Sequence, residues 1–402
     1  MRRERKIRTL LFSTLYPSSV RPGNGIFVET RLRELLGSGE VDSRVVAPVP
    51  YFFSTNPRFG NYALMAKTPK HEILNGIEVF HPRYLLPPKV GMNIAPFALA
   101  HGALPAIRQL LAGGFDFDLI DAHYYYPDGV AAALVARHFD KPLVVTARGS
   151  DINLIPQYSI PRRLIQWAAR RAHASVGVCA ALCDKMAAIG IDRSKLLVLR
   201  NGVDLERFRP IPQAEARTGL GWPTRQTLLS VGNLVELKGH HLAIEALTRL
   251  ATYRLVIVGS GGERQALERL AGSLGVADRV VFVGGVPQAD LFRYYSAADA
   301  LVLCSSREGW ANVLLEAMAC GTPVVATRIA GTIEVVASSE AGRLAPERTS
   351  ASIAETVEAL FARMPERDAV RRYAEQFTWE STTAGQLALF KQAIQANARS
   401  MA

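Results

Sequence analysis

The stretch Ser305-Ser306-Arg307-Glu308-Gly309-Trp310-Ala311-Asn312-Val313-Leu314-Leu315-Glu316-Ala317-Met318-Ala319-Cys320-Gly321-Thr322-Pro323-Val324-Val325-Ala326 limits the fold more tightly than any other part of the chain. The apolar run at 300–304 reads as a buried strand that ends in small polar residues. A glycine-containing loop follows, and Asn312 is expected to cap a helix beginning at Val313. That helix is expected to stop at Cys320-Gly321, with a C′ glycine and Pro323 just beyond it, before a strand over 323–327. A strand–loop–helix–strand unit aims backbone N–H groups and the positive end of the helix dipole at one spot, which suits a phosphate. Glu308 and Glu316, eight residues apart, flank that spot. Carboxylates repel phosphate, so their presence makes sense if each accepts hydrogen bonds from hydroxyls. A ribose on one side and a sugar ring on the other supply such hydroxyls, and a nucleotide-sugar carries both. The alternative is a pair of solvent-exposed helix glutamates.

This segment resembles the E-x7-E signature of the retaining glycosyltransferases of family four, which have the GT-B fold. The resemblance implies that Glu308 holds the donor sugar, Glu316 the ribose, and the intervening amides the diphosphate. Gly309 and the amides of Asn312, Val313 and Leu314 are therefore expected on the donor.

At 402 residues, with 49% hydrophobic and 21% charged residues, the chain has globular composition and is long enough for two domains. Strands alternate with helices throughout, which predicts α/β architecture with parallel sheets. The most apolar long window, 94–111, is broken by Pro96, His101, Gly102, Pro105 and Arg108, so no spanning helix is expected. The basic start Met1-Arg2-Arg3-Glu4-Arg5-Lys6 looks like a leader. Arg8 and the absence of a small-residue cleavage site favour a first strand instead. Cys179 and Cys183 lie four apart on a predicted helix without a histidine partner, so buried thiols in a reducing cytoplasm are expected, and neither metal nor cofactor.

Charge is unevenly spread. Residues 1–208 hold 27 Lys+Arg against 17 Asp+Glu, so +10 of the net +11 sits there. Such a surface attracts nucleic acid, anionic lipid or a phosphorylated acceptor. Arg162, Arg163, Arg170 and Arg171 flank an apolar run at 164–169, which reads either as a membrane-surface helix face or as a solvated helix with arginine ends.

Strands are predicted at 7–14, 43–47, 77–81, 119–123, 142–146, 174–178 and 196–199, with helices at 26–36, 93–111, 128–137, 161–171 and 180–188. The Pro-dotted stretch 48–74 gives little structure, and 206–224 reads as a linker. The pattern restarts with strands at 227–231, 254–258 and 280–283 and helices at 239–250, 263–274 and 288–295. The domains are placed at 1–205 and 224–379. The resemblance implies that a last helix, about 380–402, returns to the first domain. It also implies two Rossmann-like domains facing one cleft, a natural place for a bridging ligand.

Val231-Gly232-Asn233-Leu234-Val235-Glu236-Leu237-Lys238-Gly239 places Lys238 after a strand and before a helix, where a cation neutralises a departing diphosphate. The family commonly has Gly-Arg here. Asn233 replaces that arginine, and Arg328 or Arg148 are candidates to supply the charge. Gly259-Ser260-Gly261-Gly262 fails the dinucleotide fingerprint because Arg264 stands where its third glycine belongs. Gly259 and Gly261 either let the backbone approach the donor or simply make the turn. Val283, with Gly284 and Gly285, is a candidate edge for reading a base.

In the first half, Gly23, Asn24 and Gly25 form a loop between a strand and a helix that allows close approach to a phosphate or acceptor. His123 ends a strand and is either an acceptor contact or a hydrogen-bonded strand-end residue. Thr146-Ala147-Arg148-Gly149-Ser150-Asp151 is similar to the family's H-G-x-D loop, with Arg148 where histidine is usual. Arg148 stays protonated and is no general base. It is expected to bind a phosphate or an anionic acceptor, and Asp151 to orient an acceptor hydroxyl. A structural Arg148–Asp151 ion pair is the alternative.

The resemblance implies a retaining, metal-independent hexosyltransferase that uses a nucleotide diphosphate sugar, with UDP favoured. Its acceptor is expected to be a hydroxyl of a glycan or lipid-linked molecule in cell-surface polysaccharide synthesis. A cytoplasmic protein is expected, with peripheral membrane contact through the basic N-terminal domain at the inner face of the cell membrane, and no nucleic-acid partner. The rival readings are a sugar phosphorylase of the same fold and a non-enzymatic basic surface-binding protein.

Overall fold

Short apolar runs separated by helices can pair in parallel, because each helix carries the chain back along the sheet. The computed structural model describes residues 5–86 and 91–401, so the basic start at Met1-Arg2-Arg3-Glu4 lies outside the described residues. Two compact units result, Met1–Arg200 with Glu380–Ala402, and Asn201–Trp379.

In the first unit, eight strands run from edge to edge as Leu196–Val198, Ala174–Gly177, Leu143–Ala147, Leu119–His123, Ile7–Phe12, Val41–Val46, Ile77–Phe80 and His71–Leu74. All neighbours are parallel except the last pair, a hairpin that turns at Asn75-Gly76. Both turn residues have positive φ, 50° and 78°. The stretch 48–74, expected to be nearly structureless, thus carries this edge strand as well as a helix, Asn61–Lys67. The Asn-Gly pair was the available signal for the hairpin.

The second unit has six strands, all parallel, in the order Val280–Gly284, Arg254–Val258, Thr227–Val231, Ala300–Leu303, Val324–Thr327 and Gly342–Ala345. Four of them, Thr227–Val231, Arg254–Val258, Ala300–Leu303 and Val324–Thr327, are buried along their whole length. Their apolar faces meet helices in a core built on Leu255, Ile257, Val302, Ile244 and Val357. The polar edge strand Gly342–Ala345 gave no hydrophobic signal in the sequence. Residues 206–224, expected to be a linker, contain the helix Gln213–Leu220, whose Arg217 pairs with Asp299 at 2.7 Å.

Each sheet has a switch point, where neighbouring strands send the chain off in opposite directions and their outgoing loops diverge. In the first unit it lies between Ile7–Phe12 and Leu119–His123. In the second it lies between Thr227–Val231 and Ala300–Leu303.

In the helix Ser159–Arg171, Ile165, Ala168 and Ala169 of the apolar run are buried in the protein, Leu164 and Trp167 are half-buried, and the arginines face solvent. Among the described residues no helix is long and apolar enough to cross one.

The last helix, Trp379–Met401, buries Leu387, Leu389, Phe390 and Ala393 against Leu35, Val41, Leu119 and Val144. It also carries a polar contact into that core. Arg31 Nε donates to Gln386 Oε1 at 2.9 Å, and Gln386 Nε2 donates to Asp121 Oδ2 at 2.9 Å, all three residues being buried. Burial pushes the Arg31 guanidinium down to about 10. Gln386→Leu removes both bonds and leaves buried charged groups short of partners. The expected cost is about 2 kcal/mol, read as a lower midpoint in urea denaturation.

Candidate functional site

At the switch point of the second unit, the loop after Thr227–Val231 and the loop after Ala300–Leu303 lie backbone on backbone. The Ser306 N–H donates to Leu237 O at 2.9 Å. Gly239, at φ 68°, approaches so closely that a Cβ there would stand 2.2 Å from the Cys304 carbonyl oxygen. Gly259, at φ 149°, would place a Cβ 1.9 Å from Gly232 O, and Gly261 one 2.4 Å from Leu234 O. No side chain fits at these positions. The approach seen is to neighbouring backbone.

This packing brings Lys238 and Glu308 together. Lys238 Nζ lies 2.6 Å from Glu308 Oε1, which also accepts from Ser305 Oγ at 2.7 Å. Lys238 ends a short 3-10 turn, Glu236–Lys238, with Gly239 as the turn into the helix His240–Ala246. The pair is partly solvent-accessible, so ligand oxygens can compete for either member.

The helix after Glu308 begins at Asn312 itself, with Ala311 in the cap position and no side-chain cap bond. This corrects the expected role of Asn312, whose Oδ1 accepts from Asn201 Nδ2 at 3.2 Å instead. Of the three amides expected on a phosphate, those of Asn312 and Leu314 donate to Trp310 O and Ala311 O and so close the first turn. The C-terminus is as expected: Gly321, at φ 74°, follows the helix, and the Thr322 N–H returns to Ala317 O at 2.9 Å.

Glu316 is only 8% exposed. Its Oε2 accepts from the Tyr295 hydroxyl at 2.7 Å and its Oε1 from Gln288 Nε2 at 3.4 Å. Burial raises its pKa, and the two hydrogen bonds and the charge of Arg207 oppose that shift. Asn233 is exposed, Gly309 is half-buried in the loop after Ala300–Leu303, and Val283 is half-buried in the edge strand Val280–Gly284. Arg328 is exposed just past the strand Val324–Thr327.

In the first unit, the loop leaving Ile7–Phe12 turns at Gly25, where a Cβ would come within 2.3 Å of the Leu15 carbonyl group. Gly23 faces no such restriction. Asn24 Nδ2 donates to Thr14 O and Tyr16 O, at 3.1 and 3.0 Å, and ties the loop back on itself. Across the switch point His123 is buried with both ring nitrogens engaged: Nε2 with Asp121 Oδ2 at 3.1 Å and Nδ1 with Arg148 Nη2 at 2.5 Å. Because a guanidinium only donates, Nδ1 accepts and Nε2 carries the proton. Burial pushes His123 down to about 4, with the nearby guanidiniums adding to it. His123 is thus the hydrogen-bonded strand-end residue and holds Arg148, which corrects its expected contact with an acceptor.

Asp151 calls for a second correction. It is 0% exposed, and its carboxylate accepts backbone N–H bonds from Tyr125, Gly149 and Arg148 at 2.7–3.2 Å. It shapes the loop and does not reach an acceptor hydroxyl. Arg148 is 9% exposed, and its guanidinium also stacks 5.3 Å from the centre of the Phe27 ring. Burial and the charge of Arg31 draw its pKa well below the usual value.

Two family models match the chain, Glycosyltransferase Family 4 over residues 37–207 and Glycosyl transferases group 1 over residues 213–377. TuaC of Bacillus subtilis (strain 168), provisionally described as a teichuronic acid biosynthesis glycosyltransferase, is 31% identical over 393 residues, 95% of this chain and 92% of its own. This protein is a family-four glycosyltransferase. A D-inositol 3-phosphate glycosyltransferase of Frankia alni is 34% identical over 69% of the chain and 75% of its own length. The GT-B fold recurs in sucrose-phosphate synthase from Thermosynechococcus elongatus, with TM-score 0.80, 20% identity and coverage of 98% of this chain and 100% of that one. It recurs again in Anabaena HepE in complex with UDP-glucose, with TM-score 0.70, 18% identity and coverage of 98% and 99%.

Within this glycosyltransferase the sequence reading missed Ser305, Tyr295, Gln288 and Gln386. All four act through a neighbour's side chain, and no local spacing marks such partners. The His123 geometry carries a pH consequence. Its folded pKa is depressed, so the unfolded chain takes up a proton that the folded chain refuses between the ordinary histidine value, about 6.5, and about 4. The contribution of His123 to stability is therefore present above that window and lost as pH falls through it. Nitrogen NMR of the ring is expected to show a neutral Nε2–H tautomer at pH 5.5; an imidazolium signal there would contradict the arrangement.

Proposed function

We propose that this enzyme transfers a hexose, with retention of configuration and without a metal ion, from a nucleoside diphosphate sugar to a hydroxyl of a glycan or lipid-linked acceptor. UDP is the favoured nucleotide and cell-surface polysaccharide synthesis the favoured setting. The observation that carries the reading is the Lys238–Glu308 pair at the switch point, with Glu316 on the following helix. A cation and two carboxylates suit a ligand with a diphosphate in the middle and hydroxyls at both ends. The complex of HepE with UDP-glucose and the teichuronic acid description of TuaC support the donor class and the setting.

In this reading Glu308 accepts hydrogen bonds from the sugar hydroxyls and Glu316 from the ribose. Lys238, with the Val313 amide at the helix start, neutralises the diphosphate as charge builds on it, the role a divalent ion fills elsewhere. The bond from the anomeric carbon to the diphosphate oxygen breaks. A bond to the acceptor oxygen forms on the same face, and the acceptor proton passes to the departing diphosphate. In the first unit, Arg148 and the Gly23–Asn24–Gly25 loop are assigned to the acceptor or its phosphate.

Membrane contact in this proposal rests on different residues from the arginine-flanked helix. Tyr51, Phe53, Tyr62, Leu85, Leu86 and Met92 are all exposed in the first unit. The Tyr51 N–H bonds Tyr84 O, Phe52 stacks on Tyr62, and Leu86 lies against Gly91, so the segments that carry these side chains neighbour one another. Aromatic and aliphatic groups on a basic unit suit an anionic bilayer surface. Sedimentation with phosphatidylglycerol vesicles is expected for the wild type and reduced roughly tenfold in Phe53→Ser; equal sedimentation would remove this part of the proposal.

Glu308→Ala is expected to lower transfer by about 10²–10³-fold. Because its carboxylate competes with phosphate for Lys238, UDP should bind with unchanged or tighter affinity. Lys238→Ala is expected to weaken UDP binding by about tenfold or more. Calorimetric titration together with a transfer assay checks both; near wild-type transfer by Glu308→Ala would exclude its donor-sugar role.

A further inference from the structure

We propose that Tyr295 is a positioning residue for the donor: its hydroxyl, bonded to Oε2 of Glu316, fixes the plane of that carboxylate so that Oε1 meets the ribose hydroxyls. The inference rests on the reading of Glu316 given under Proposed function. A glutamate side chain rotates about its last bond, and a single short contact to one oxygen sets the direction of the other. Here that contact is 2.7 Å long and comes from a side chain that is 0% exposed. Tyr295 is itself held in place. Its carbonyl accepts from Thr322 Oγ1 at 2.6 Å, and its ring meets the edge of Phe208 with centroids 6.0 Å apart.

The second donor to Glu316 is weaker. Gln288 reaches Oε1 at 3.4 Å, while its own Oε1 is drawn by Arg207 Nη1 at 2.8 Å. A bond of that length gives way readily to a ribose hydroxyl, whereas the Tyr295 bond persists. The helices Leu291–Ala297 and Asn312–Ala319 therefore act as one part, the first carrying the donor that aims the second's carboxylate.

Burial raises the pKa of Glu316, and the Tyr295 hydrogen bond works against that rise. The phenol, pushed well above its usual value by burial and by Glu316, stays protonated and keeps donating. Loss of the hydroxyl should allow the Glu316 pKa to climb further. The ionised form, the better acceptor, is lost as pH falls through the folded pKa, so in Tyr295→Phe that loss begins at a higher pH.

The test is titration of UDP, GDP and ADP against their 2′,3′-dideoxy counterparts, with wild type, Tyr295→Phe and Tyr294→Phe. The ratio of the two affinities reads the ribose contact alone, because a general loosening of the fold weakens both ligands together. The wild type is expected to prefer the ribose form of at least one nucleotide by roughly tenfold or more. Tyr295→Phe is expected to reduce that ratio to about threefold or less, with the remainder vanishing at a higher pH than in the wild type. Tyr294→Phe, one position along the same helix, should keep the wild-type ratio. An undiminished ratio in Tyr295→Phe overturns the positioning role and leaves Glu316 as the ribose contact. A wild type that does not distinguish the two sugars overturns the Glu316 reading, and this inference with it.

Discussion

The pairing of Lys238 with Glu308 in this glycosyltransferase depends on backbone packed directly against backbone at the carboxyl ends of the central strands in the second unit. Gly239 lies against Cys304 and Gly259 against Gly232, at separations that no Cβ tolerates. A methyl group at Gly239 would force the loops that carry Lys238 and Glu308 apart. Parallel strands that diverge at a switch point leave a gap between their loops. Here the gap is closed far enough to set a cation and a carboxylate 2.6 Å apart. The glycines matter because they allow this approach, more than through any contact of their own.

The two carboxylates are held differently. Glu308 is balanced by a partly accessible lysine, whereas Glu316 is buried against the neutral donors Tyr295 and Gln288. The first unit follows the second pattern on a larger scale. Gln386, Arg31, Asp121, His123 and Arg148 form one buried chain of hydrogen bonds that ties the last helix to the loop after Leu143–Ala147. Each member is costly to leave unpartnered, which makes the chain of bonds a rigid support for the Arg148 guanidinium at one of its ends.

Much of this was legible in the sequence because the strands are short, apolar and buried along their length, as in Thr227–Val231 and Arg254–Val258. Their periodicity survives even where boundaries shift by a residue or two. The E-x7-E spacing likewise located Glu308 and Glu316 before any geometry was known. Asn312 was misassigned because asparagine before an apolar run usually caps a helix, but here Asn201 takes its side chain and Ala311 takes the cap conformation. His123 looked like an acceptor contact because it ends a strand, and Asp151 because its loop is similar to the family's H-G-x-D loop. Their partners come from backbone amides and from Arg148, which local sequence does not reveal. Gly342–Ala345 was missed because an edge strand needs little hydrophobicity.

The central claim is that the second unit binds a nucleoside diphosphate sugar through side chains and amides, without a metal ion. Thermal denaturation of the purified enzyme with UDP-, GDP- and ADP-sugars, each with and without a chelator, tests it most directly. A UDP-sugar is predicted to stabilise the fold by about 1 kcal/mol or more at saturation, equally in both conditions. Stabilisation that disappears with the chelator, or no stabilisation by any of the three, would contradict it.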